Sequence, residues 1–424
     1  MAEQLNVSRN VVISAYEELT AQGLLQTRAG AASTVAADAI AKLGARQVVR
    51  NTGRGAASAD VISLNYRRPA YDPTAEKAWG RLVRSVRARH IAGTPDPAGL
   101  RVLREAVADH LASSRGVPPR PDAVIIVNEA QLGLNIVAQT LLSPGDCVTL
   151  EEPHYPGARD LFARLGTQIQ TAPVDAEGID VSSLGGAAQR LAYITPSCHL
   201  PLGVRLSPNR SAALSQWVRA TGAFLIEDDF NCEYQSRGRI SPALAASEIG
   251  PERVIYLATA PHAISPTLRM GFLVAPEPLR EALTEMRWLA ERGTSEFHQE
   301  VLAKFIAEGH YQRHLLRTSR RYAARQKRAI ADLIELFGDD VHIPTNAVAA
   351  YVFVAFRRIP GAQSGTFARA ALGHGVAISD ATSCFSRPPD SACYMLGVVG
   401  DDEHTAREGL ERLASAYRAF VPQQ

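Results

Sequence analysis

The stretch Ala223-Phe224-Leu225-Ile226-Glu227-Asp228-Asp229 decides how this chain is read. Four apolar residues in a row fit a buried strand, and the polar segment that follows them lies at its carboxyl end. Working outward, Val124-Ile125-Ile126-Val127, Cys147-Val148-Thr149-Leu150, Leu191-Ala192-Tyr193-Ile194 and Val254-Ile255-Tyr256-Leu257 are runs of the same kind. Helical stretches separate them, which implies βαβ units and a mainly parallel sheet with helices on both faces. The predicted class is therefore α/β, with the large domain over residues 61–310. In such sheets reactive side chains gather at the carboxyl ends of strands, so the segments following these runs are the ones to search.

Beyond this core, a basic helix over about 309–336 leads into a smaller α/β domain, and residues 311–424 are expected to form that C-terminal part. Ala350-Tyr351-Val352-Phe353-Val354 reads as one of its strands and 403–419 as a closing helix. Residues 37–60, rich in Ala and Gly with scattered Arg, read as a linker. Residues 1–36 form a separate unit. Ser8 is placed to cap a helix running to about Gln22, with Val11, Val12, Tyr16 and Leu19 on one face, and Gly23 stops it. Leu24–Thr27 and Ser33–Val35 are expected to pair as a hairpin.

Composition excludes several classes. The chain has 424 residues and a net charge of +2, so nucleic-acid binding must rest on a local motif rather than on overall charge. It holds no run of eighteen apolar residues and no signal-peptide pattern, and a cytoplasmic protein is expected. Five cysteines without C-x-x-C spacing argue against a disulfide framework or a zinc ribbon, and no metal is expected. Lysine is scarce: only Lys42, Lys77, Lys304 and Lys327 occur.

The motifs carry a resemblance. Leu5 to Val12, Ala15 to Leu19 and Gly23-Leu24-Leu25 resemble the winged helix of GntR-type repressors. Asp96-Pro97-Ala98-Gly99-Leu100, Glu151 to Gly157, Thr195-Pro196-Ser197, Pro201-Leu202-Gly203, Glu227-Asp228-Asp229 and Pro266 to Gly271 resemble fold-type I aminotransferases, in that family's order. Together they are similar to MocR-type regulators, in which a winged helix is fused to an aminotransferase-like domain. The resemblance implies a homodimer that binds DNA, a small-molecule ligand, and pyridoxal phosphate (PLP) held as an aldimine on a lysine.

The chain departs from that pattern where the cofactor chemistry lies. The lysine position in the segment after Val254–Leu257 is held by His262, whose imidazole cannot form a stable aldimine. Small residues ordinarily precede the helix that receives the phosphate. Here Asn128-Glu129-Ala130-Gln131 stands there, and Glu129 is expected to repel a phosphate and to occupy the helix N-terminus itself. Phe230 replaces a cofactor-binding tyrosine, and Met395 corresponds to the substrate-carboxylate arginine. Tyr155, Asp228 and Arg269 survive as matches to cofactor contacts. The alternative for Asp228 is a strand-end residue capping the next turn, and for Arg269 an ion pair holding the sheet to a neighbouring helix. No cofactor is therefore expected, with non-covalent PLP as the alternative.

The same strand ends carry His154, Cys198, His199, Cys232 and His262. His262, His199 and Cys198 are the candidate acid, base or nucleophile. Glu129, His154, Phe230, Cys232 and Met395 are the candidate lining of a ligand pocket. For DNA, Ser8, Arg9 and Asn10 at the start of the recognition helix are placed for base edges or phosphates, and Arg28 for the wing. Residues 1–36 supply the end of one helix, the recognition helix and the wing but no preceding first helix, so the winged helix is expected to be partial, through an upstream start or decay. Two functions follow: a MocR-like regulator unable to form the aldimine, or a PLP-independent biosynthetic enzyme such as a cyclase, hydrolase or isomerase.

Overall fold

The computed structural model describes residues 2, 8–21, 25, 26, 33–36, 61–66, 71–86, 95–186, 188–229, 232, 241–260, 264, 268–344, 350–400 and 402–421. The chain divides into two compact units, Met1–Ala59 and Asp60–Gln424. In the first, a helix spans Arg9–Ala21, with Ser8 at its start accepting the Val11 N–H. It is followed by the hairpin of β1 (Leu25–Gln26) and β2 (Thr34–Val35). The order of helix and hairpin is the expected one. The linker and Arg28 lie outside the described residues.

The larger unit begins with β3 (Ile62–Leu64). Its central strands follow as β4 (Val124–Val127), β5 (Cys147–Glu152), β6 (Gln168–Asp175), β7 (Gly178–Ile179), β8 (Gln189–Ile194), β9 (Phe224–Asp228), β10 (Val254–Thr259) and β11 (Gly271–Val274). They form one eight-stranded sheet in the order β4-β11-β10-β9-β8-β5-β6-β7. The inner pairs β10–β9, β9–β8, β8–β5 and β5–β6 are parallel, whereas β11 runs antiparallel between β4 and β10. Every apolar run read as a strand is one, and each of β5, β9 and β10 extends past its run to the polar residues at its end. β6 and β11 were not foreseen. Gln168–Asp175 is mostly exposed with only Ala172 buried, and Gly271–Val274 is only four residues long, so neither gives a strong apolar run.

The period of two along these strands sets which face each side chain serves. Phe224 and Ile226 of β9 pack in one core with Tyr193 and Leu257, and Leu225 packs in the other with Ile194 and Tyr256. Continuing the alternation, Asp228 belongs to the first face, and Glu227 and Asp229 to the second.

The second sheet holds β12 (Val341–His342), β13 (Val352–Pro360), β14 (Val376–Asp380) and β15 (Ser391–Leu396), in the order β12-β13-β15-β14-β3. β3 pairs parallel with β14, so residues 62–64, expected in the large domain, complete the C-terminal sheet instead. The basic helix, His310–Phe337, and the closing helix, Glu403–Phe420, pack against that sheet.

Candidate functional site

The carboxyl ends of β4, β5, β8 and β9 supply the candidate site. Asp228 is buried at the end of β9, where its Oδ2 accepts the Tyr193 hydroxyl proton at 2.6 Å. The Tyr193 ring lies 6.3 Å from that of Tyr155 with a 26° interplanar angle. The Tyr155 hydroxyl in turn donates to Gln131 Oε1 at 2.8 Å, and Gln131 Nε2 donates to the Gly157 carbonyl at 3.2 Å. Helix Glu129–Leu141 and the β5 end are thereby tied to β8 and β9. Tyr193 and Gln131 were not singled out from sequence, because a tyrosine inside an apolar run and a glutamine in a first helical turn have no spacing signal.

At the start of that helix, Glu129 has φ of 66°, the left-handed region that glycine tolerates and other residues enter at a cost. Its Oε2 lies 2.9 Å from Arg269 Nη1. Beside it, the Asn128 N–H is given to Glu291 Oε1 at 3.0 Å, and Glu291 is close to Arg287, with Oε2 3.3 Å from Nε. A helix N-terminus attracts negative charge, and here two carboxylates of the chain already supply it. Arg269 forms the ion pair given above as the alternative to a phosphate contact. Among the described residues of this turn, a phosphate would meet the Glu129 carboxylate and an arginine already matched.

Next to this, β5 and β8 carry a buried acid–imidazole group. Glu151 Oε2 accepts the Thr195 N–H at 2.9 Å and the Thr195 hydroxyl at 2.8 Å, and burial pushes its carboxyl up to about 8. His199 Nε2 sits 3.0 Å from the Pro153 carbonyl and 3.8 Å from Glu151 Oε2, while Nδ1 accepts the Leu202 N–H at 3.4 Å. That pattern fits the tautomer with the proton on Nε2, and burial pulls the imidazole down to about 3. His154 is also held low by burial, its Nδ1 3.4 Å from Glu152 Oε2. The His154 backbone N–H donates to the Cys384 carbonyl, and Ser386 donates to Glu152, which fastens the β5 end to the C-terminal part.

The remaining expected residues divide. Cys198 and Met395 are 1% and 3% exposed and share an apolar cluster with Tyr351, Phe353, Cys384 and Cys393, so they are packed as core. Cys232 is buried on the opposite side of β9 from Asp228, beside Asp229, Tyr256 and Arg115. Phe230 and His262 lie outside the described residues. Among the described residues no His, Cys, Asp and Glu are grouped for a metal.

On that second face Arg115 Nε is 2.7 Å from Asp229 Oδ2, and Arg115 Nη2 donates to the Ser197 hydroxyl at 2.7 Å. Glu227 receives the N–H groups of Leu244 and Ala245 at 2.9 Å each. Tyr256 donates to Asp229. Two of the three carboxylates in the opening stretch therefore hold structure together, and only Asp228 faces the tyrosine pair.

Fold and strand-end residues define an aminotransferase-like body, and comparison with known proteins agrees. Residues 59–391 match the family model "Aminotransferase class I and II". Kynurenine aminotransferase of Pyrococcus horikoshii superposes with a TM-score of 0.77 at 21% identity, over 86% of this chain and 93% of that one. LysN, the α-aminoadipate aminotransferase of Thermus thermophilus, gives 0.75 at 26% identity, over 85% and 93%. The chain belongs more narrowly to the MocR-type regulators of the GntR class. It is 33% identical to the probable rhizopine catabolism regulatory protein MocR of Rhizobium meliloti, over 99% of this chain and 88% of the relative. It is 31% identical to the pyridoxine biosynthesis transcriptional regulator PdxR of Corynebacterium glutamicum, over 77% and 71%.

Proposed function

We propose that the protein is a DNA-binding transcriptional regulator of the MocR type, whose aminotransferase-like domain senses a small molecule without forming the PLP aldimine. The observation that carries this reading is the recognition unit. Ser8, Arg9 and Asn10 stand exposed at the N-terminal end of the helix Arg9–Ala21, ahead of a two-stranded hairpin. The first turn of such a helix is the part that meets base edges and phosphates in the major groove. That the match to a relative named as a regulatory protein runs over 99% of this chain, and so takes in this unit, supports it.

The effector domain in this reading keeps Tyr155, Tyr193 and Asp228 as a pocket floor and has closed the anion end with Glu129. A homodimer in the cytoplasm, reading paired half-sites, is the matching assembly. Among the described residues no helix is long and apolar enough to cross a membrane. The enzyme reading draws less support. Both ring nitrogens of His199 face backbone groups, and Cys198 is sealed in an apolar cluster.

The test is binding of the purified protein to the DNA upstream of its own reading frame, with excess competitor DNA at physiological salt. Specific retention that Arg9→Ala abolishes supports the proposal. Equal binding of own and unrelated fragments refutes it.

A further inference from the structure

The helix His310–Phe337 carries seven basic side chains between residues 313 and 328 and no acidic one. Its exposed positions include Arg313, Arg317, Arg320, Ala324 and Lys327, spaced four, three, four and three residues apart, which places them along one face. From Arg313 to Lys327 that stripe runs roughly 21 Å at about 1.5 Å per residue. The internal partners of the run account for only some of its charge. Arg317 pairs with Asp72 at 2.9 Å, Arg328 pairs with Asp332 at 3.1 Å, and Arg325 donates to the Val399 carbonyl. Among the described residues Arg313 finds the Glu308 carbonyl and His310 but no carboxylate. Arg320 and Lys327 make no ion pair or hydrogen bond among the described residues.

The neighbouring helix Pro73–Ser85 is locked to this one through Asp72, its N-cap, which sits 2.7 Å from His314 Nδ1. It exposes Lys77, Arg81 and Arg84 four and three residues apart, opposite the buried Ala75, Ala78 and Leu82. Two joined helices thus each hold a row of cations. An ordinary solvated helix face interleaves both signs, which lowers self-repulsion; between residues 313 and 328 this one does not, its exposed acid Glu335 lying two turns beyond Lys327. Held charges of one sign in rows on rigid helices fit a partner with regularly spaced anions, and duplex DNA offers one charge per roughly 1.7 Å of axis.

We propose that the stripe on helix His310–Phe337, centred on Arg320 and Lys327, binds DNA phosphates, adding sequence-independent affinity to what the recognition helix reads. This rests on the regulator reading above. Each cation on a phosphate releases counterions, so it contributes about 0.9 to the slope of log K against log salt.

The experiment measures binding of the full chain to its own upstream DNA from about 50 to 200 mM salt, for the parent and for Arg320→Glu/Lys327→Glu. Arg320→Gln/Lys327→Gln is the second variant, kept as a check against misfolding by charge reversal. The expected result is a slope smaller by about 1.8 for each bound protomer, so about 3.6 for the homodimer, and affinity at least tenfold weaker for own and unrelated DNA alike, with the preference between them retained. Unchanged slope and affinity overturn the proposal. So does an altered dimer equilibrium with the slope intact, which assigns the stripe to a second copy or an acidic protein partner. If the parent itself shows no preference for its own upstream DNA, the regulator reading fails. A salt slope that the variants still reduce then keeps the stripe as a DNA surface.

Discussion

Glu129→Gly is expected to turn the start of the helix Glu129–Leu141 into an anion site. The substitution removes a side chain held at φ of 66°, where glycine relieves roughly 1 kcal/mol of backbone cost. It also removes the ion pair with Arg269, whose side chain is 71% exposed, so that loss is at most about 1 kcal/mol. The two nearly cancel, and the thermal midpoint should shift by no more than a few degrees. Anion affinity, by contrast, should change strongly. A unit charge about 4 Å from another costs roughly 1 kcal/mol in water and roughly 4 kcal/mol at an effective dielectric of about 20. A phosphate carrying about 1.5 charges then gains at least about tenfold when the carboxylate goes, and Arg269 becomes available to it. The assay is a titration with inorganic phosphate, followed by calorimetry and by thermal shift, on the parent, on Glu129→Gly and on Glu129→Gly/Arg269→Ala. Phosphate binding by the single variant that is absent in the parent and reduced in the double variant is the expected pattern. Equal phosphate binding by the parent would refute the reasoning, because Glu129 would then not be closing the site.

Three further outcomes follow from the buried groups. Arg115→Met leaves Asp229 buried without its cation and should cost about 3–5 kcal/mol in urea unfolding; a loss under about 1 kcal/mol would show that the pair is solvated. Glu151, raised to about 8 by burial, binds a proton in the folded state that the unfolded chain has released above the usual carboxylate range. Its stability contribution is therefore full at low pH and lost as pH rises toward about 8, near 1.4 kcal/mol per pH unit. Glu151→Gln should flatten the decline in unfolding free energy between pH 6.5 and 8, and an unchanged pH profile would count against the buried neutral acid. His199, pulled down to about 3, works in the other direction: its contribution is present above pH 6.5 and lost as pH falls, and His199→Gln should make unfolding less acid-sensitive.

How much of this was legible in the sequence depends on which interaction sets each feature. Strands β4, β5, β8, β9 and β10 announced themselves because burial on both faces demands continuous apolar runs. Glu129 was readable because an acid stood where small residues precede a helix, and an ion pair was among the readings open for Arg269, though its partner was not. The division of Glu227, Asp228 and Asp229 between two sheet faces was not read, although the alternation of β9 implies it. Arg115 could not be linked to Asp229 across 114 residues of chain by any local pattern. Cys198 looked reactive because strand-end cysteines often are. Its sealing by Met395, Tyr351 and Phe353 depends on the second sheet, whose position the sequence does not state. The same holds for β3, a three-residue strand whose partner lies more than 300 residues on.

What is proposed here is the loss of the fold's lysine chemistry from an aminotransferase-like domain. Its most direct test is to mix the protein with one equivalent of PLP, reduce with borohydride, and look by mass spectrometry for a covalently fixed adduct. No stoichiometric adduct is expected on the parent, whereas His262→Lys combined with Glu129→Gly should yield one at residue 262. A stoichiometric adduct on the parent at Lys42, Lys77, Lys304 or Lys327 would contradict the account, since one of these lysines would then have taken over the role that His262 lacks.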